Sequence, residues 1–397
     1  MPSAAAPAPR VPPAVKGLSL VSLFNDLASE MVYPLLPALV TGPLGAGALA
    51  LGVLDGAAEL TSAALKVVSG RLADRPRWRA PLILGGYATA VLVRPLIAVA
   101  GSAWQVVGFR IIDRVGKGLR TPARDALIAG VTPVELRGRA FGFHRAADHF
   151  GAVLGSVAAW YLLERGLAVR DVIGWSALPG LIAFLVLAVL LRGARVAPGA
   201  VRGRGGGENS ADAVGRIFWG PVLVLSALTF FRLPEALLLL RLQELGVPVP
   251  AIPLVWAGLH VVRSAGSYPG GWISDHLGPR ATVAAGGLLF AVVAVVLGSR
   301  LSPAGAVTAF LLLGPVAGLT ESAERALVAR LAPVRTGKGF GIYHAVIGLA
   351  ALPAGLAFGA VYQRAGGPAA LWGSAVGMIV AVAVWFAVTN ANAKGQG

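Results

Sequence analysis

Six ionisable side chains, Arg110, Asp113, Arg114, Lys117, Arg120 and Arg124, fall on one face of a helix wound through residues 103–125, within an arc of about 120° at ~100° per residue. Such a row either pairs with carboxylates on neighbouring elements or holds an anionic group of a solute. The carboxylates are present. Asp26 and Glu30 share a face with Tyr33, Asp55 and Glu59 share one with Ser62 and Lys66, and Glu321, Glu324 and Arg325 cluster late in the chain. His144 with Asp148, Arg232 with Glu235, and His260 with Arg263 and Ser267 repeat the pattern. Asp26, Glu30 and Glu59 are the candidate proton carriers. Tyr33, Asp55, Arg110, Asp113, Arg114, Lys117, Arg120, His144, Asp148, Arg232, Glu235 and Glu321 are the candidates for lining a solute cavity. The competing reading ties helices together by pairing Asp113 with Lys117 one turn on and Arg145 with Asp148. His144, Asp148 and His149 have ligand-like spacing, but histidine here is more often a hydrogen-bonding partner and no His-rich tail accompanies them, so no metal site is expected.

The elements that position these groups are apolar. The chain has 397 residues, 56% hydrophobic and 13% charged, which excludes an ordinary soluble domain. Windows of about 20 mostly apolar residues begin near Gly17, Leu49, Pro81, Ala103, Gly138, Val172, Phe218, Ala251, Thr282, Pro303, Gly339 and Pro368. This predicts an all-α membrane protein of twelve transmembrane helices. A charge at a helix centre costs about 2.5–3.5 kcal/mol on insertion scales, and each Leu, Val or Ile returns only about 0.3–0.6. The charged helices must therefore face water or one another. The sixth, ninth and twelfth windows lack central charges and the third holds only Arg94, so these four are expected against lipid.

The formal charge of +16 sits mainly between the apolar windows, as the positive-inside rule requires of a bacterial inner-membrane protein with both termini cytoplasmic, and not as a nucleic-acid-binding face. The chain divides into a disordered N-terminus (1–15), a first six-helix bundle (16–192), a Gly/Arg-rich cytoplasmic linker (193–216), a second bundle (217–389) and a short tail (390–397). The bundles repeat at a spacing of about 200 residues. Gly70-Arg-Leu-Ala-Asp74 answers Gly271-Trp-Ile-Ser-Asp275, Arg124-Asp-Ala-Leu-Ile-Ala129 answers Glu324-Arg-Ala-Leu-Val-Ala329, and Gly138-Arg-Ala-Phe-Gly142 answers Gly337-Lys-Gly-Phe-Gly341. Cysteine is absent, and no Walker loop, nucleophile elbow or paired-metal motif is present, so neither an enzyme nor an ATP-driven pump is expected and no cofactor is called for.

On these residues the chain resembles the major facilitator superfamily, whose hallmark G-x-L-a-D-R-x-G-R-K reads here Gly70-Arg71-Leu72-Ala73-Asp74-Arg75-Pro76-Arg77-Trp78-Arg79. It is similar, more narrowly, to bacterial permeases with N-D-x-x-S-E-M-x-x-P-L-L-P, from Asn25 to Pro37, and D-R-x-G-K-G-x-R-T-x-x-R-D-A-L, from Asp113 to Leu127. The family's antiporter motif survives only as Gly151-x-x-x-Gly155. The resemblance implies two pseudo-symmetric six-helix bundles around a cavity lined by the first, fourth, seventh and tenth helices. It also implies a cytoplasmic gate built from Gly70, Asp74, Arg75, Arg77, Asp125, Gly271 and Asp275. The expected function is secondary, proton-coupled transport by a monomer of a small solute with an anionic or amphipathic character. Efflux of neutral or cationic drugs, divalent-metal export and lipid flipping are the alternatives.

Overall fold

The computed structural model describes residues 11–133, 136–193, 216–331 and 336–394. Residues 1–10, nearly all of the expected linker and residues 395–397 of the tail lie outside this range. Among the described residues the chain makes twelve helical passes and no strand. In the first half, α1 is Pro13–Val32, carried on by a 3₁₀ turn Tyr33–Leu35 and the short helix Leu36–Thr41; α2 is Ala48–Ala73; α3 is Pro76–Val93 with a 3₁₀ extension Arg94–Val99; α4 is Ala103–Val131; α5 is Arg137–Glu164; and α6 is Val169–Trp175 with Ala177–Gly193. In the second half, α7 is Arg216–Phe230 with Glu235–Glu244, α8 is Ile252–Leu277, α9 is Pro279–Gly298, and α10 is Pro303–Leu311 with Leu313–Leu331. The run Thr336–Lys394 is two antiparallel passes, α11 (336–365) and α12 (367–394), separated at Gly366, whose φ of 84° only glycine adopts without strain.

Several breaks follow from proline chemistry. Pro34 and Pro37 remove two backbone donors from α1, and the helix tightens to a 3₁₀ turn at Tyr33. Pro234 interrupts α7, so that a second helical segment begins inside the span at Glu235.

Seven stretches, covering α2, α3, α6, α7, α9, α10 and the α11–α12 pair, are long and apolar enough to cross a membrane by length and composition alone. The remaining four helices, α1, α4, α5 and α8, carry intramembrane charges and depend on their neighbours. Small residues bring those neighbours close. A Cβ on Gly151 or Gly155 of α5 would stand 2.3 or 2.2 Å from the carbonyl oxygen of Leu23 or Leu27 on α1. The remnant of the antiporter motif is thus a backbone contact between two helices. Gly270 and Gly318 join α8 to α10 in the same way, and Gly52 and Gly355 join α2 to α11 across the two halves.

The large exposed apolar residues include Leu92 on α3, Leu185 and Val189 on α6, Val292 on α9 and Val376 on α12. Exposed tryptophans stand near helix ends, Trp104, Trp175 and Trp372 at one end of the molecule and Trp78, Trp219 and Trp272 at the other, in the manner of interfacial belts. The largest apolar cluster contains Leu36, Val40 and Leu51 of the first half with Leu237, Trp256 and Phe358 of the second, and so seals the halves together at the end remote from the Asp74 and Asp275 turns. A second cluster, around Leu18, Ile83, Leu127 and Leu187, belongs to the first half alone. Gly70, Gly142, Gly271 and Gly341, on α2, α5, α8 and α11 at the turn end, have nothing within 4 Å of where a Cβ would lie. The halves are joined at one end and parted at the other.

Candidate functional site

Between the halves lies a cavity of about 570 Å³, lined by residues of α1, α2, α4, α7, α8, α10 and α11 and by none of α3, α6, α9 or α12. Eleven of its 23 lining residues are Asp, Glu, Lys or Arg, so it is built for a polar occupant. The acids are Glu30, Asp55, Glu59, Glu235, Glu321 and Glu324; the bases are Arg110, Arg114, Lys117, Arg232 and Arg263.

At its centre Tyr33 of α1 meets Trp256 of α8, ring centroids 5.2 Å apart. Both polar ends of this pair are tied down. The Tyr33 hydroxyl donates to Asp55 at 2.9 Å, and the Trp256 indole N–H donates to Glu30 at 2.7 Å. A guanidinium flanks each ring, Arg110 at 4.8 Å from the Tyr33 centroid and Arg263 at 5.8 Å from that of Trp256. Arg263 also pairs with Glu235, Tyr343 donates to Glu324, and His260 Nε2 stands 3.6 Å from Glu30. Asp55 accepts the Ala236 N–H at 2.9 Å and so caps the broken helix of α7 from the opposite half.

Most of the carboxylates therefore have partners, and the imbalance lies with the donors. The Nε–H groups of Arg110, Arg232 and Arg263 are buried with no hydrogen-bond acceptor among the described residues. Glu59 and Lys117 reach into the cavity and form no ion pair within 4 Å among the described residues.

Several sequence expectations need correction. Asp113 does not pair with Lys117, nor does it line the cavity: it is buried, 2.9 Å from Arg94, 3.5 Å from Arg110 and 3.7 Å from Arg114. Arg94, which appeared as an isolated charge on a lipid-facing helix, turns inward and also donates to the Asn25 carbonyl at 2.9 Å. Arg120 is buried against α3, over the Tyr87 ring and donating to the Gly86 carbonyl at 3.1 Å, and is not a cavity residue. Arg145 is exposed and forms no ion pair with Asp148, which faces His144 instead at 3.6 Å. His144, Asp148 and Asp26 all stand outside the cavity wall. Among the gate residues, Asp125 pairs with Arg124 at 3.0 Å, while Asp74, Arg75 and Arg77 are exposed, and among the described residues none of these four meets Asp275 or the second half through an ion pair.

The candidate set also omits Trp256, His260, Arg263, Glu324 and Tyr343, all of which the structure brings to the cavity. Their signal was available in part, since Trp256, His260 and Arg263 recur at i, i+4 and i+7. Among the described residues no group of three His, Asp or Glu side chains converges to hold a metal ion.

The profile of the Major Facilitator Superfamily matches residues 18–242 and 233–397. An uncharacterized MFS-type transporter of Methanocaldococcus jannaschii is 28% identical over 378 residues, 93% of each chain. The multidrug resistance protein MdtH of Edwardsiella ictaluri is 29% identical over 146 residues, 37% of this chain and 36% of its own. Among solved structures, the inward-facing, unoccupied bacterial homolog of the human lysosomal transporter Spinster superimposes with a TM-score of 0.75 at 18% identity, covering 96% of this chain and 97% of the other.

Proposed function

Because the chain belongs to the major facilitator superfamily, and is thereby a multi-pass membrane transporter and not an enzyme, we propose that it moves a small, polar, anionic solute by alternating access, coupled to protons. The observation that carries the solute class is the set of three buried, acceptor-less Nε–H groups, from Arg110 on one half and Arg232 and Arg263 on the other. A buried donor without an acceptor is costly, about 1–3 kcal/mol, and an acceptor-rich group placed among these three removes that cost while drawing the halves together. The expectation of an anion recognised by α4 is widened here to a site to which cations of both halves contribute.

The bundles 16–192 and 217–389 are the units that rock. The protein acts as a monomer in the bacterial inner membrane with both termini cytoplasmic, an orientation supported by the concentration of Arg and Lys at the Asp74 end, so the conformation described is open to the cytoplasm. Glu30 is best placed to couple a proton to this motion, because its partners Trp256 and His260 belong to the other half. Efflux of lipophilic drugs is less well supported, since a cavity with 11 charged residues among 23 offers little apolar surface.

The test is transport into or out of proteoliposomes under an imposed pH gradient, with di- and tricarboxylates, sugar phosphates and lipophilic cations as separate arms. Gradient-dependent movement of an organic anion, reduced at least tenfold by Glu30→Gln, is the expected result. Movement of the lipophilic cations alone removes the solute assignment. Anion transport that survives the triple change of Asp26, Glu30 and Glu59 to Asn and Gln removes the proton coupling.

A further inference from the structure

Outside the cavity, between α1 and α5, three polar side chains form a line whose hydrogen-bond accounting does not close. Ser19 Oγ lies 3.3 Å from His144 Nδ1, and His144 Nε2 lies 3.6 Å from Asp148 Oδ1. Both His144 and Asp148 are more than nine-tenths buried, at 2% and 8% exposure, and both His144 Nε2 and Asp148 Oδ1 lack a hydrogen-bond partner among the described residues.

The roles follow by elimination. Ser19 has one hydroxyl proton, and it is committed to the Val15 carbonyl at 2.8 Å. With its proton so placed, the Ser19 oxygen accepts from His144, which assigns the imidazole proton to Nδ1. In the neutral ring Nε2 then presents a lone pair to an ionised carboxylate. Two acceptors facing each other in a buried space repel, and both are left unsatisfied. A single added proton resolves both faults at once, because whichever atom holds it becomes a donor to the other.

We propose that Ser19, His144 and Asp148 form a buried proton-binding site in the first half, separate from the cavity, in which one proton is held between His144 Nε2 and Asp148 Oδ1. The charges that act on His144 are Arg124, bonded to Ser22 at 3.0 Å, and Asp125 on α4 and Arg145 on α5; Asp26 on α1 and His149 on α5 act on Asp148, and behind them lie Lys117 on α4, towards Asp26, and His260 on α8, towards His149. Ser19, Ser22, Asp26 and Glu30 recur along α1 at helical spacing, a polar track from this site to the cavity. Its use as a loading station for Glu30 rests on the proton-coupled reading above; the existence of the site does not.

The chain has five histidines, so ¹⁵N-histidine labelling of the full-length protein in nanodiscs resolves the question. At neutral pH the wild type is expected to show one imidazole whose Nδ1 carries a proton and whose Nε2 shares a further downfield proton with Asp148, lost in His144→Gln and in Asp148→Asn and retained in His149→Gln. No downfield proton shared between Nε2 and Asp148, or an Nε2 proton on a ring whose Nδ1 has none, which is the ordinary neutral tautomer, overturns the site, whether or not the variants fold. So does an Nε2 signal that shifts only on addition of Zn²⁺, which would make this a metal site. Failure of Glu30→Gln to alter gradient-driven transport removes the coupling and leaves this spectrum unchanged, so the two proposals fail separately.

Discussion

Asp55 of the first half and Ala236 of the second are joined by a hydrogen bond of 2.9 Å, in which a side-chain carboxylate of α2 accepts the N–H at the start of an interrupted helix of α7. A reciprocal tie runs the other way: Gln363 of α11 accepts the Leu49 N–H at the start of α2, at 3.1 Å. Each half therefore caps a helix of its partner at the sealed end, and both caps must be surrendered when that end opens.

Asp55→Ala is expected to favour the conformation open at the sealed end. Loss of an N-cap costs about 0.5–2 kcal/mol, roughly a 2- to 30-fold shift in the ratio of the two conformations. Spin-label distances across that end should lengthen in a larger fraction of molecules, and an unchanged distribution would show that the cap has no part in gating.

Asp113→Ala leaves Arg94 and Arg110 buried without their anion and is expected to destabilise the protein by about 3–5 kcal/mol. Thermal unfolding in detergent measures it. Pairing the change with Arg94→Met should recover much of the loss, because the buried charge goes with its partner; a double variant as unstable as the single one contradicts this account.

Lys117 and Arg120 separate solute binding from folding. Lys117→Gln alters a side chain that enters the cavity unpaired and is expected to weaken anion binding with the melting temperature intact. Arg120→Gln removes the guanidinium from Tyr87 and the Gly86 carbonyl and is expected to lower the melting temperature instead. Reversal of the two outcomes, read by isothermal titration and by unfolding, would return Arg120 to the binding site.

At Gly70 a side chain meets open space in the conformation described. Gly70→Leu should thus leave folding nearly unchanged. If the turn ends close together during the cycle, the added leucine holds them apart, and transport should fall at least tenfold. Full transport by this variant would argue against closure at Gly70.

The helical passes and the charge-bearing faces were legible in the sequence because both are local properties, read from windows of one helix. The partners were not. Arg94 looked like a stray charge on a lipid-facing helix, and only the packing of α3 against α4 and α1 turns it to Asp113 and to the Asn25 carbonyl. Arg120 shares a stripe with Lys117, yet the rotation of α4 that sends Lys117 into the cavity sends Arg120 towards Tyr87. Fourteen of the 23 residues of the cavity wall come from the second half, where Trp256 of α8 reads in isolation as one more apolar residue. Its importance arises from meeting Tyr33, some two hundred residues away, and no single window contains that contact.

The exposed tryptophans divide evenly between the halves, Trp78, Trp104 and Trp175 on the first and Trp219, Trp272 and Trp372 on the second. Each half carries anchors for both membrane faces. A half that rocks must drag its indoles out of the headgroup layer or pull that layer with it, at a cost of fractions of a kcal/mol per Å of mismatch. If the halves rock as proposed, the lipid is a mechanical load on the gate, and acyl-chain length becomes a control on turnover that acts without touching the cavity.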